Sequence, residues 1–331
     1  MYLGIDVSKA TLDAALLLDS GAPKALASKA RHKVFPNTPV GHGQLLSWLQ
    51  GQGVSIVHAT LEATGTYGEA VALSLHEAGP RVSLVNPALV RAFGQSQLKC
   101  TKTDKADAIL IARFCAMHQP PLWSPPAPAV RELQALVRRV EALEEMRQME
   151  ENRLESGVSC QVVRASLLDH IAYLQSQIEA TRRQIEQHIE AHPELKEQSR
   201  LLCSIPGIGQ VTAAVLLSEI GDVSHFQSAR QVAAFAGLVP KIRESGSSVR
   251  GKPRLSKVGS PRLRKCLYFP AMTALRWNPL IKALGLRLSA QGKPKMLILG
   301  AAMRKLLHLA YGVLKSGKAF DVNFNAQTCA A

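Results

Sequence analysis

Four acidic side chains in the first third of this chain have the types and spacing for metal-assisted phosphoryl transfer. Asp6 stands in Gly4-Ile5-Asp6-Val7 and Glu62 in Leu61-Glu62-Ala63-Thr64-Gly65, each closing an apolar run that reads as a strand. Asp104 and Asp107 lie three residues apart in Thr103-Asp104-Lys105-Ala106-Asp107. They therefore share one face of the helix that continues into Ala108-Ile109-Leu110-Ile111-Ala112. A hard cation such as Mg²⁺ takes oxygen ligands, and a two-ion site needs carboxylates from several elements around one scissile phosphate. Each acid also has a plain role open to it. Asp6 could end its strand, Asp104 could cap its helix, and Asp107 could pair with Lys105 or Arg113.

A second chemical group lies at 241–257, where Ser245, Ser247 and Ser248 sit among Arg243, Arg250, Lys252, Arg254 and Lys257. A serine hydroxyl attacks poorly unless a base, a metal or nearby cations assist it. Cations so placed could hold a phosphate and stabilise a pentavalent transition state. The residues alone do not separate the three serines, and a loop that only contacts phosphate is the plainer reading. Upstream, Pro206-Gly207-Ile208-Gly209 reads as a helix-hairpin-helix turn, in which Gly207 and Gly209 would let backbone N–H groups approach a phosphate. A tight helix–helix turn is the alternative.

The charge distribution points the same way. The 331 residues carry 40 Lys and Arg against 25 Asp and Glu, a net +15, with 47% apolar residues to build cores. Between 241 and 320 there are 18 Lys and Arg and a single acid, Glu244, so the rest of the chain is slightly acidic. A basic field of that length implies a polyanion, most directly a nucleic acid. The six cysteines (Cys100, Cys115, Cys160, Cys203, Cys266, Cys329) form no CxxC pair, which argues against zinc and against a disulfide framework. The chain opens on a strand without a basic leader, and no apolar run approaches the roughly 20 residues of a membrane helix. The expected setting is a bacterial cytoplasm, with the protein at the nucleoid when it acts, and no membrane partner.

These groups must be carried by ordered elements. Strands are expected at 2–7, 12–18, 25–35, 54–61 and 82–85, with Asp19-Ser20-Gly21-Ala22 as a hairpin turn, and helices at 41–50, 67–78, 87–97 and 104–117. Opening antiparallel strands followed by alternating helices and strands give an RNase H-like α/β layout over 1–120. An actin-like fold also opens on Gly-Ile-Asp. It would need Gly-rich phosphate loops, for which Thr64-Gly65-Thr66 is the nearest sequence. The Pro-rich stretch 120–128 marks a boundary. Helices at 129–157 and 161–191 carry Leu133, Leu136, Val140 and Leu143, then Leu167, Ile171, Leu174, Ile178 and Ile185, with Thr181 and His188 interrupting the seam. They read as a coiled-coil or dimerisation pair over 129–195, or as an ordinary bundle pair. A third region, 200–320, is helical at 261–277, 279–290 and 295–315, with 241–257 read as a polar loop.

The motifs Gly4-Ile5-Asp6, Glu62-Ala63-Thr64-Gly65-Thr66-Tyr67, Asn86-Pro87-Ala88, Thr103-Asp104, Asp107-Ala108, Ile205-Pro206-Gly207-Ile208-Gly209, Ala233-Ala234-Phe235-Ala236-Gly237-Leu238 and Glu244-Ser245-Gly246-Ser247-Ser248-Val249-Arg250-Gly251 occur here in one order. In this the chain resembles the DEDD transposases of the insertion-sequence 110 family, nearly from end to end. The resemblance implies an α/β plus all-α architecture: an RNase H-like (RuvC-like) domain, a coiled-coil insertion and a mainly helical transposase domain. It implies Ser245 as a nucleophile that forms a phosphoserine link to DNA, and Asp6, Glu62, Asp104 and Asp107 as Mg²⁺ ligands. It further implies an active site assembled in a homo-oligomer, from dimer to tetramer, and a noncoding bridge RNA that pairs with donor and target DNA. Two rival readings remain: a RuvC-like structure-specific nuclease that activates water, and a non-enzymatic nucleic-acid-binding protein.

Overall fold

The computed structural model describes residues 1–18, 30–53, 57–63, 65–97, 103–245 and 249–323, with the backbone alone for 66, 242–245 and 249–253. The chain divides into two compact units, Met1–Pro125 and Pro126–Ala331.

The first unit is a sheet with helices on both faces. Its strands are β1 (Tyr2–Val7), β2 (Thr11–Leu17), β3 (Arg31–Pro36), β4 (His58–Glu62) and β5 (Arg81–Val85). Their spatial order is β3-β2-β1-β4-β5. The pairs β1–β2 and β2–β3 are antiparallel, whereas β4 is parallel to β1 and β5 is parallel to β4. The helices are α1 (Pro39–Gln50), α2 (Glu69–Glu77, preceded by a 3-10 turn at Thr66–Gly68), α3 (Pro87–Ser96) and α4 (Asp104–His118). Alternation along the strands sorts the side chains between the faces. Leu3, Ile5, Leu12, Ala14, Leu16, Ala59 and Leu61 form one core with Leu45 and Leu49 of α1 and Val71 and Leu75 of α2. The opposite face carries α3 and α4, where Val85, Val90, Phe93, Ile111 and Phe114 cluster. The expected hairpin turn at 19–22, the first residues of the expected strands at 25–35 and 54–61, and Thr64 lie outside the described residues.

The Pro-rich stretch is not wholly a linker. The Ser83 hydroxyl on β5 lies 3.0 Å from the Pro120 carbonyl, 2.8 Å from that of Pro121 and 2.7 Å from His58 Nε2. Trp123 donates its backbone N–H to Val82 O at 2.7 Å. The segment thus continues the sheet edge as far as Trp123, which packs on the first core.

The second unit comprises α5 (Pro128–Glu155), α6 (Gln161–Ala191), α7 (Pro193–Cys203), α8 (Gln210–Ile220), α9 (Ala229–Phe235), strands β6 (Pro240–Ser245) and β7 (Val249–Leu255), α10 (Pro261–Trp277), α11 (Pro279–Ala290) and α12 (Lys295–Ser316). The seam of the α5–α6 pair is Leu133, Val137, Val140 and Leu143 against Leu174, Ile178, Ile185 and Ile189, and these residues belong to the same core as α7 to α12. The polar residues of the seam are satisfied locally. Thr181 donates to Gln177 O at 2.8 Å, and His188 Nε2 lies 2.8 Å from Ala129 O. The expected polar loop at 241–257 is instead an antiparallel hairpin, with Ser245 opposite Val249 and Glu244 opposite Arg250. By length and composition α12 could cross a membrane, at mean hydropathy 1.4, contrary to the expectation that no segment reaches that length. Its Leu299, Met303, Leu306, Leu307 and Ala310 lie inside the helical core, which accounts for the apolar content.

Candidate active site

Gly4 determines where the four acids lie. A Cβ at Gly4 would stand 2.2 Å from Ala108 O and 2.2 Å from Ala112 N, so α4 rests directly on the backbone of β1. Any larger residue would lift the helix. With Gly4 facing α4, alternation turns Asp6 to the same side at the C-terminal end of the strand. In the parallel pairing Gly4 lies beside Thr60 and Ile5 beside Leu61, which sets Glu62 next to Asp6 on that side. Asp107 immediately precedes Ala108, whose carbonyl touches Gly4. Three separate elements therefore deliver carboxylates to one end of the sheet.

The proximity shows in the electrostatics. Burial, and then the charges of Asp107, Asp104 and Asp13, push the Asp6 carboxyl above its ordinary range. Burial, and then Asp6 and Asp107, push Glu62 up, against the opposing pull of Arg91. The role of helix cap belongs to Thr103, whose hydroxyl accepts from Ala106 N at 3.2 Å, and not to Asp104. Asp104 and Asp107 sit in the first turn of α4, where the helix dipole favours negative charge. Neither forms an ion pair with a described residue, so the pairing of Asp107 with Lys105 or Arg113 is not made.

An all-carboxylate donor set suits a hard divalent cation. Asp6 and Glu62 are held half-buried against their mutual repulsion, with Arg91 opposing it at Glu62, and a divalent cation would offset that repulsion further. As the side chains stand, no three acidic, histidine or cysteine groups among the described residues converge enough to ligate one ion.

One acid was not singled out in the sequence. Asp13 on β2 is the direct cross-strand partner of Asp6. It is 8% exposed and bonded to His32 Nε2 of β3 at 2.8 Å. Its position within an apolar strand gives no chemical signal; only the β1–β2 register reveals it.

The remaining predicted residues belong to the second unit. Ser245 ends β6, Arg243 lies opposite Gly251, and Arg250, Lys252 and Arg254 follow on β7. Ser247 and Ser248 lie outside the described residues. The base of the hairpin is fixed by a clamp. Ser256 N donates to Val239 O at 2.8 Å and Lys257 N to Gly237 O at 3.2 Å. Arg264 Nη1 reaches the carbonyls of Ala236, Gly259 and Ser260 at 2.9, 3.2 and 3.2 Å. Gly237 (φ +67°) and Gly259 (φ +133°) allow this interlock, because a Cβ on Gly259 would fall 2.2 Å from Phe235 O. Gly207, at φ +108°, packs against Ala274 and Pro270 of α10, so both its backbone conformation and its packing require a glycine there. Gly209 starts α8 with open space at its Cβ position. Asn278 Nδ2 holds the same turn through Pro206 O at 3.3 Å while its Oδ1 caps α11.

Comparison with known proteins matches residues of both units. Residues 199–285 match the profile described as "Transposase IS116/IS110/IS902 family", and residues 3–159 match a second profile described as a transposase. The pilin gene-inverting proteins of Moraxella bovis and Moraxella lacunata are 36% and 35% identical over 326 residues, spanning 97% of this chain and 97% of each relative. The transposase for insertion sequence element IS1328 of Yersinia enterocolitica is 29% identical over 227 residues, 60% of this chain and 65% of that protein.

Proposed function

We infer the chemistry of this chain from one premise: it belongs to the IS116/IS110/IS902 family of transposases, enzymes that act on DNA by cutting and rejoining strands. We read it as a site-specific recombinase that moves or inverts its own DNA element through a covalent link at Ser245. The observation that carries this reading is the seating of α4 on Gly4, which gathers Asp6, Glu62, Asp104 and Asp107 at one end of the sheet. The strand order and the mix of antiparallel and parallel pairing support an RNase H-like, RuvC-like first unit.

In this mechanism the four carboxylates would hold Mg²⁺. The bound ion would neutralise charge on the scissile phosphate and polarise it as a Lewis acid. Ser245 Oγ attacks phosphorus, the bond from phosphorus to one deoxyribose oxygen breaks, the serine proton ends on that leaving oxygen as a hydroxyl, and a phosphoserine ester forms. A hydroxyl from the partner strand then attacks that ester and frees the serine, so the number of phosphodiester bonds is conserved without ATP. Arg243, Arg250, Lys252, Arg254 and Lys257 hold the phosphate, and the Gly209 end of α8 offers backbone N–H groups to a neighbouring one. Specificity for donor and target DNA comes from pairing with a noncoding bridge RNA, the protein reading backbone and shape. The basic second unit supports a large nucleic-acid load. Dimers to tetramers complete the assembly.

The test is a denaturation-resistant protein–DNA adduct, assayed with donor and target DNA, the RNA transcribed from the element's noncoding end, and Mg²⁺. An RNA-dependent adduct in the wild type that is absent from Ser245→Ala establishes the guided serine recombinase. Cleavage without an adduct, unchanged by Ser245→Ala, replaces it with a RuvC-like nuclease in which the carboxylates activate water.

A further inference from the structure

Asp13 and His32 lie beside the carboxylate site and have no part in the mechanism above. On the antiparallel ladder Asp6 and Asp13 are Cα partners, so their side chains leave the sheet on the same face, the one that carries α4. His32 stands opposite Ala15, two residues along β2 from Asp13 and therefore on that face too. The imidazole Nε2 and Asp13 Oδ1 are 2.8 Å apart, with side chains 17% and 12% exposed. A carboxylate so enclosed is held at one position by its partner. It is near enough to act on the charge of Asp6.

We propose that Asp13 is a positioning residue of the carboxylate site: a fixed negative charge, held by His32, that strengthens the binding of a divalent cation at Asp6 from the neighbouring strand. The inference rests on the reading of the four acids as an ion site. Asp13 acts through the field at Asp6, from a position fixed by the bond between its Oδ1 and His32. The affinity of oxygen sites for divalent ions rises with their carboxylate charge. Groups just outside the ligand shell typically change metal affinity by about 10- to 100-fold. The opposing reading is purely structural: the pair ties β2 to β3 and nothing more.

Two substitutions separate these readings because they rank in opposite order. Asp13→Asn keeps the shape and an oxygen acceptor for His32 but removes the charge. Asp13→Glu keeps the charge but adds a methylene at a site only 8% exposed. Mn²⁺ binding to the full-length protein would be measured by water-proton relaxation, with thermal melting in EDTA alongside. The proposal expects Asp13→Asn to weaken Mn²⁺ binding by about tenfold while melting at or above the wild-type temperature. It expects Asp13→Glu to keep affinity within about threefold of wild type even where its melting temperature falls. Wild-type affinity in Asp13→Asn, or a loss confined to Asp13→Glu, overturns the proposal. Asp6→Asn is run in parallel. If wild type and Asp6→Asn bind Mn²⁺ alike, the ion-site reading itself fails and takes this inference with it. If only Asp6→Asn loses binding, the ion site stands and the role of Asp13 is refuted.

Discussion

At Asp6 the carboxylate that would serve a cation is a burden on the folded chain without one. Burial and the charges of Asp107, Asp104 and Asp13 raise its folded-state pKa above the ordinary value of 3.8. A carboxyl with a raised folded pKa favours the fold most when protonated. That stabilisation is present in acid and is lost as pH rises from the unfolded value through the folded one. In ion-free protein Asp6→Asn is therefore expected to raise the melting temperature at neutral pH, with the gain shrinking as pH falls through the raised folded pKa and gone once pH is below the ordinary value of 3.8. Differential scanning calorimetry in EDTA across that range tests it, and a neutral-pH melting temperature below wild type would refute the assigned cause. The same substitution removes a ligand of the proposed ion, so stability and activity should move in opposite directions. Asp104→Asn lies in an exposed helical turn capped independently by Thr103. It should fold normally and retain RNA binding, yet lose strand exchange by at least about a hundredfold. Full exchange in that variant would remove Asp104 from the ion site.

The placement of α4 on β1 depends on a missing side chain. Gly4→Ala puts a methyl 2.2 Å from two backbone atoms of α4, which no side-chain rotation can relieve. Overpacking of this kind costs about 3 kcal/mol, and here it would also displace Asp104 and Asp107. The variant should melt earlier and lose strand exchange beyond what its folded fraction explains, measured at a temperature where it remains folded. The hairpin has a comparable dependence on Arg264. Arg264→Met leaves three backbone carbonyls without their shared donor. A cost of about 2 to 4 kcal/mol follows, read from urea unfolding of the second unit. Much of this framework is legible in the sequence because local chemistry marks it. Pro261 and Pro279 open their helices behind Ser260 and Asn278, and Asp6 and Glu62 end apolar runs. The hairpin is not legible. Along β7 Arg250, Lys252 and Arg254 do alternate with Val249, Gly251, Pro253 and Leu255, but the glycine, the proline and the register shift at Lys241/Arg243 break the signature of a strand pair. Asp13 and Arg264 escape for another reason: their roles come from cross-strand register and from carbonyls of residues Ala236 to Ser260, which spacing alone does not encode.

Over the whole chain, apolar burial and basic charge are distributed differently. The cores on the two faces of the sheet contain residues up to Phe114, with Trp123 packed at their margin, whereas the helical core begins at Leu133. Fragments 1–125 and 126–331 should each unfold cooperatively when expressed alone. A fragment ending at 119 should be less stable than 1–125 by about 3 kcal/mol, because it loses the Trp123 packing and the Pro120 and Pro121 contacts with Ser83. Equal melting of the two shorter fragments would show that the Pro-rich segment is a free linker after all. Charge follows another division, since the stretch with 18 Lys and Arg and one acid lies wholly within 126–331. Phosphate contacts release counterions, so DNA affinity falls with salt at a slope of about −0.9 per contact. If about six contacts come from this stretch, fragment 126–331 should bind duplex DNA with a log–log salt slope near −5, while 1–125 binds weakly without a divalent ion. Fluorescence anisotropy from 50 to 250 mM KCl measures both. A steep slope carried by 1–125, or a flat one in 126–331, would mean that the basic field serves solubility and that the acidic sheet end recruits DNA by itself.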